Sequence, residues 1–359
     1  MRSKYLRLKL FLLVFGVISA LGMIMFSTGQ QFSYKLKQNS ENYLILRTSF
    51  VENKSKLEIY SEGQKINEEN IDQGALNSLT MHKDIYYISS RYKGDYYILP
   101  KNSRLTKKRI ESGKGVTNTF YNDDKITFIT NWGQKNEKGT ISYTSGIYLL
   151  NDKSEPVEFV LNNGFFTSGT FFNNHIYVLT FDPTVKEEQI LKVNFNGEIV
   201  KKFALGRSPR FEFRSITTSN DFVYMYSNDG KLLFIDTADN LQEIPLTNGT
   251  GKVFKIFPAY QGIYVLFYNG VFIQIKQNKV NSVLKLQNES NEHLISIQSK
   301  IKGKVLHVLY TFDKAYYGKS YKHEGLIRQY SLDDSSVLAD FYLEKLDNLR
   351  LVDFDITNN

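Results

Sequence analysis

The stretch NDFVYMYSNDGKLLFID, Asn220 to Asp236, decides how the rest of the chain is read. Two short apolar runs, VYMYS from Val223 and LLFID from Leu232, are joined by Asn228-Asp229-Gly230 and entered through Asn220-Asp221. Asn, Asp and Gly tolerate the left-handed backbone of tight hairpins, so the pattern predicts paired antiparallel strands. Units like it recur about every 40–50 residues, a spacing that marks stacked repeats.

Working outward, the equivalents of VYMYS are YLILRTS from Tyr43, IYYISS from Ile85, ITFIT from Ile126 and IYVLTF from Ile176. IYVLFY from Ile263 and VLHVLY from Val305 complete a set of seven. A third strand follows each: KLEIYS from Lys56, DYYILP from Asp95, GIYLLND from Gly146, ILKVNFNG from Ile190, VFIQIKQN from Val271 and LIRQYSLDD from Leu326, besides LLFID itself. A weaker fourth is legible in VEFVL, KFAL, EIPL, VLKL and ADFYL, and Pro245 within EIPL suits an outer edge, where a missing N–H is tolerated. No helix-period segment of useful length appears after residue 42.

The two ends complete the pattern. Nothing before Tyr43 can serve as a first strand, whereas Leu349 to Asn359, LRLVDFDITNN, has no second strand after it. Set against FRSITTSND from Phe213, that tail reads as the inner strand missing from the first unit. Such closure removes the free sheet edges that invite aggregation. The expected fold is all-β: a seven-bladed β-propeller of four-stranded antiparallel blades closed by the C-terminal strand. Over about residues 42–359 the chain resembles seven-bladed bacterial β-propeller repeat proteins, at the level of architecture. It has no regular Trp-Asp dipeptide, kelch glycine pair or blade tryptophan, and a single tryptophan, Trp132. The resemblance therefore implies a fold and no activity.

Ahead of the propeller, residues 1–9 are basic (Arg2, Lys4, Arg7, Lys9) and 10–26 (LFLLVFGVISALGMIMF) are continuously apolar. As a helix that run would rise about 26 Å, just under the ~30 Å of a bilayer core. Preceding cations hold the start in the cytoplasm and send the remainder outward. The segment is expected to be a transmembrane signal anchor, or a leader cleaved near Ser27-Thr28-Gly29, in which case the body is secreted. Residues 27–41 read as a polar tether, which places 42–359 outside the cell membrane.

The absence of cysteine excludes disulfides, thiol catalysis and cysteine-type zinc sites. Four of the eight excess positive charges belong to the leader, so the body carries only a mild surplus, too diffuse to imply nucleic acid. No cofactor or metal motif is found. His323-Glu324 lacks the second histidine of a zinc-protease helix, and the Asn/Asp turns lack the spaced ligands of a calcium loop. His82 and His175 fall at hairpin turns and are expected to be exposed; His307, inside VLHVLY, is expected to be a satisfied interior histidine.

Loop length is the remaining signal. Turns joining second to third strands share one face with the blade-to-blade connections. They look minimal in blades five and six and longer in two, three, four and seven, notably Asn131–Ser145 and Thr311–Gly325. The candidate binding residues on that face are Arg91, Tyr92, Trp132, Tyr143, Arg207, Arg210, Tyr316, Tyr317, Tyr321 and Lys322. Aromatics mixed with cations suit stacking on a sugar or docking on a protein. The leading functional expectation is a non-catalytic module that binds an envelope protein, a peptide or an anionic glycan. An enzyme (a hydrolase, lyase or lactonase) would instead gather His307 and carboxylates at the axis. A subunit of a transport or secretion assembly is the third reading.

Overall fold

The computed structural model describes residues 42–101, 103–137, 140–151, 154–162, 164–207, 213–219, 221–227, 231–246, 253–259, 262–286, 294–312 and 323–357. Those residues form seven four-stranded antiparallel sheets. Blade 1 contains β1 (Asn42–Thr48), β2 (Ser55–Ser61) and β3 (Gln64–Ile71); blade 2 contains β4 (Leu76–His82), β5 (Ile85–Ser90), β6 (Asp95–Pro100) and β7 (Thr106–Arg109). Blade 3 comprises β8 (Val116–Tyr121), β9 (Lys125–Glu137), β10 (Thr140–Asn151) and β11 (Ser154–Leu161). Blade 4 comprises β12 (Phe165–Phe172), β13 (His175–Asp182), β14 (Glu187–Val193) and β15 (Ile199–Arg207). In blade 5 they are β16 (Phe213–Ser219), β17 (Phe222–Ser227), β18 (Leu232–Ile235) and β19 (Leu241–Ile244). Blade 6 holds β20 (Val253–Ala259), β21 (Gly262–Phe267), β22 (Val271–Lys276) and β23 (Lys279–Lys285). Blade 7 holds β24 (Leu294–Lys302), β25 (Val305–Phe312), β26 (His323–Ser331) and β27 (Val337–Glu344). The C-terminal strand β28 (Arg350–Thr357) joins blade 1, whose order is β28-β1-β2-β3. The tail therefore closes the ring as its sequence suggests, with Asn42 opposite Thr357 and Ile45 opposite Phe354.

A repeated irregularity shows that β28 is an inner strand like the others. In blades 2 to 7 the register of the inner strand against its neighbour skips one residue near its start: Asn77, Thr117, Thr167, Arg214, Phe254 and Ile297. β28 skips Val352 at the same place. One extra residue bends a strand and increases its twist, as a strand curving along the axis requires. The turns follow the expected chemistry: Lys83-Asp84, Asn173-Asn174 and Gln277-Asn278 have positive φ at both central residues, the geometry of a type I′ hairpin.

The cores lie between blades. Leu44, Leu46, Leu57 and Ile59 of blade 1 pack on Leu79, Tyr86, Ile88 and Leu99 of blade 2. Because both faces of the middle strands are covered, they read as continuous apolar runs rather than alternating ones. Three expectations need correction. β19 stops at Ile244, so Pro245 lies just beyond the outer strand rather than in it. Asn131–Ser145 is no open loop: β9 and β10 continue their ladder out to Glu137 and Thr140 as a projecting hairpin. The second-to-third turns of blades 2 and 4, residues 91–94 and 183–186, are as tight as an ordinary hairpin.

Among the described residues no helix is long and apolar enough to cross a membrane. The apolar run 10–26 and the tether 27–41 lie outside them.

Candidate binding face

The second-to-third turns and the blade connections meet on one face, here the loop face. Ala75 N–H donates to Ser49 O and Arg91 N–H to Ala75 O, each at 2.9 Å. Asn131 N–H donates to Gly115 O at 3.0 Å, and Leu286 N–H to Gly270 O at 2.9 Å. Asn348 Nδ2 reaches Glu52 Oε1 at 3.0 Å, which ties the last connection to the first turn. The opposite face carries the tight inner hairpins, such as Lys83-Asp84 and Asn173-Asn174, and is the turn face.

Five of the ten expected binding residues are described, and all five lie at the loop face. Arg91 and Tyr92 are exposed at the β5–β6 turn, with the guanidinium 6.0 Å from the tyrosine ring centroid. Arg207 is exposed at the end of β15, opposite Glu187. Trp132 is the extra residue of a bulge where Thr144 pairs with Gly133 and Ser145 with Asn131. Gly133 holds a φ of +83° there, which a side chain would resist. The half-buried indole donates to Thr130 Oγ1 at 3.2 Å, lies over Gly146 and carries Lys114 Nζ 5.3 Å from its ring centroid. Tyr143 packs on Phe165 at 4.5 Å between ring centroids. Trp132 and Tyr143, both half-buried, thus anchor the base of the hairpin. Arg210, Tyr316, Tyr317, Tyr321 and Lys322 lie outside the described residues.

Sequence reasoning passed over the most exposed apolar side chains of this face. Val51 is 97% exposed and Phe50 46% at the β1–β2 turn; Tyr268 is 62% exposed at β21–β22, and Val185 47% at β13–β14. With Tyr92 at 66%, blades 1, 2, 4 and 6 each present an apolar or aromatic tip at the equivalent turn. An isolated apolar residue in a loop has no period to mark it. The available signal was positional, an apolar residue at the same turn in several repeats.

The axis carries a different chemistry. Lys255 of β20 donates to Gln298 Oε1 and to Ser299 O (2.7 Å) of β24, while Lys300 Nζ reaches Asp355 Oδ1 of β28 at 3.1 Å and Leu79 O of β4 at 3.4 Å. Asp353 accepts the N–H groups of Leu79 and Phe354, both at 2.8 Å. Burial, helped by the neighbouring Lys300, pushes the Lys255 ammonium down to about 8. Burial likewise raises the Asp353 carboxyl, while Lys300 is pulled down by burial but carried above its usual value by Asp355 and Asp353. Neighbouring inner strands also meet through hydroxyls, Ser78 with Thr119 (3.3 Å) and Thr170 with Thr218 (3.2 Å). A cavity of about 420 Å³ opens on the turn face beside Asn122, Phe171, Asn173 and Thr218.

The histidines fall elsewhere. His307 lies on β25, fully buried, with Nδ1 2.9 Å from Tyr43 Oη, and burial holds it down at about 4. It is an interior residue between blades 7 and 1 and does not join the axial carboxylates. His82, expected to be exposed, is buried at 6% because Tyr121 of the next blade covers it, ring centroids 5.2 Å apart. His175 is half-buried, its Nδ1 2.7 Å from Asn173 O. Among the described residues no cluster of three or more His, Asp or Glu could hold a metal ion.

No protein-family model matches the sequence, and no curated protein matches it significantly. Solved structures do match in shape. Apo AztD from Citrobacter koseri aligns with a TM-score of 0.52 at 9% identity, over 88% of this chain and 97% of that one. Selenomethionine-substituted virginiamycin B lyase from Staphylococcus aureus gives 0.52 at 13% identity, over 76% and 86%. The computationally designed Ika8 protein gives 0.51 at 10%, over 87% and 90%. These likenesses are of fold alone; a shape shared by a lyase and a designed protein assigns no chemistry.

Proposed function

We propose that the protein is a membrane-anchored, extracytoplasmic propeller that binds a partner without catalysis through its loop face. One observation carries this reading: apolar tips recur at equivalent turns of four blades on that face, interspersed with Arg91, Lys93 and Arg207. Aromatic and arginine side chains are the usual centres of binding energy. Aliphatic tips such as Val51 and Val185 offer no stacking surface to a sugar, which favours a protein or peptide over an anionic glycan. The apolar leader 10–26, with its basic flank, supports anchoring.

The enzyme reading has the axial lysines and aspartates in its favour, but their contacts serve the ring. Lys300 bridges to Asp355 and Leu79 O, and both oxygens of Asp353 accept backbone N–H groups. Groups so engaged hold blades 7, 1 and 2 together and are poorly placed to take a substrate.

Site-specific photo-crosslinking in intact cells tests the proposal. A crosslinker at Val51, Tyr92 or Tyr268 is expected to capture one discrete partner, and a crosslinker at Lys101 or Asn196 of the turn face is not. Equal capture from both faces would overturn the assignment, and capture of glycan alone would replace the partner class.

A further inference from the structure

An apolar tip on a membrane-tethered protein has two possible counterparts, a partner molecule or the bilayer itself. Strand polarity separates them. β1 runs from Asn42, opposite Thr357 and Ser61, to Thr48, whose continuation Ser49–Lys54 is the loop-face turn. Thr357 Oγ1 donates to Asn42 O at 3.3 Å, and Asn42 is fully buried. The tether therefore joins the propeller at the turn face, the full length of a strand away from Val51.

We infer that the propeller is held with its turn face toward the membrane and its loop face away, so that the apolar tips meet a protein from the far side and not lipid. This rests on the anchoring proposed above. For the loop face to meet the bilayer, the tether would have to pass outward beneath two further strands of blade 1, about 10 Å, and then climb the ring. The climb is about 23 Å along seven strand residues, before any loop is counted. A random-coil chain of fifteen residues, the length of 27–41, has a root-mean-square reach of about 20 Å. Their fully extended limit is about 50 Å, so the inverted pose would consume most of the contour length and its entropy. With the turn face inward no such span has to be crossed.

The chain has no cysteine, so single cysteines can be labelled cleanly. The full-length protein, reconstituted in phosphatidylcholine–phosphatidylglycerol vesicles with a headgroup acceptor dye, would carry a donor at one of four places. Lys101→Cys and Lys304→Cys report the turn face; Val51→Cys and Tyr268→Cys report the loop face. Energy transfer from the turn-face pair is expected to exceed that from the loop-face pair at least twofold. Inserting about 30 Gly/Ser residues into the tether, which raises its reach to about 37 Å, is expected to shrink that ratio. Equal transfer from both faces with the native tether, or greater transfer from Val51 and Tyr268, would overturn the orientation while leaving the anchoring intact. Protein recovered free of vesicles, with no transfer at any position, would overturn the anchoring and the orientation with it.

Discussion

Two seams between blades are built from different materials. Between blades 3 and 4, Phe120, Ile129, Ile147 and Leu149 face Phe166, Phe171, Ile176 and Val178. Phe120 and Phe171 lie 5.1 Å apart, and Phe120 rests on Gly169, where a Cβ would fall 2.4 Å from its ring. Between blades 7 and 1, an apolar cluster around Tyr43, Leu309 and Ile327 is crossed by directional polar contacts. Arg47, fully buried, donates to Glu58 at 2.6 Å, to Glu324 of blade 7 at 2.5 Å and to Glu344 O at 2.7 Å. Tyr43 Oη meets His307 at 2.9 Å and accepts from Gln329 Nε2 at 2.6 Å.

The difference follows from connectivity. Blades 3 and 4 are consecutive in the chain, so the connection, with Phe166 N–H donating to Ser145 Oγ at 3.1 Å beside it, already sets their register, and apolar packing makes up the rest of the seam. β1 to β3 are chain neighbours of blade 2 alone; their fit to blade 7 and to β28 is set by non-covalent contacts. A buried ion pair adds little net stability but penalises any register that breaks it. Polar contacts at the closing seam thus select one way of joining the ends.

The largest expected effect comes from breaking that selection on one side. Arg47→Met removes the buried guanidinium that Glu58 and Glu324 share and is expected to cost about 3–5 kcal/mol in chemical denaturation. Adding Glu58→Gln and Glu324→Gln should restore much of the loss; a cost under ~1 kcal/mol for Arg47→Met would deny the seam its polar character. Next comes the histidine. His307 stays neutral in the fold down to about 4, while the unfolded chain takes up its proton near 6.5, so stability is lost as pH falls through that window. The loss is on the order of 3 kcal/mol and should be absent from His307→Asn, as read from urea midpoints at pH 7 and pH 4.5. The smallest effect belongs to the apolar seam. Gly169→Ala forces Phe120 to shift and is expected to cost about 1–3 kcal/mol by overpacking. A Phe120→Leu partner should relieve it, with no change in pH dependence.

Most of the ring was legible in the sequence because the middle strands of each blade are buried on both faces and so read as apolar runs. The outermost strands β3 (QKINEENI) and β7 (TKKR) were not, since they are largely exposed and carry little apolar signal. The hairpin arm read as a loop because polar residues from Asn131 to Ser145 give no periodicity, although the ladder runs through them. Burial of His82 and the pairing of Arg47 with Glu324, 277 positions away, arise where distant segments meet. The five described candidates fall on the predicted face because loop position follows from strand count. The exposed tips Val51 and Tyr268 were missed because nothing local distinguishes them.

Closure of the ring by β28 supports all of this, and a disulfide tests it most directly. In a chain free of cysteine, Asn42→Cys and Thr357→Cys occupy partnered positions in the β1–β28 register. Mild oxidation is expected to link them within one molecule, giving a circularised chain of altered gel mobility and a higher Tm. The control Asn42→Cys with Ile356→Cys, one residue out of register, should point to opposite faces and remain unlinked. Failure of the first pair to form, or equal linkage in both, would contradict a ring closed by its own C-terminal strand.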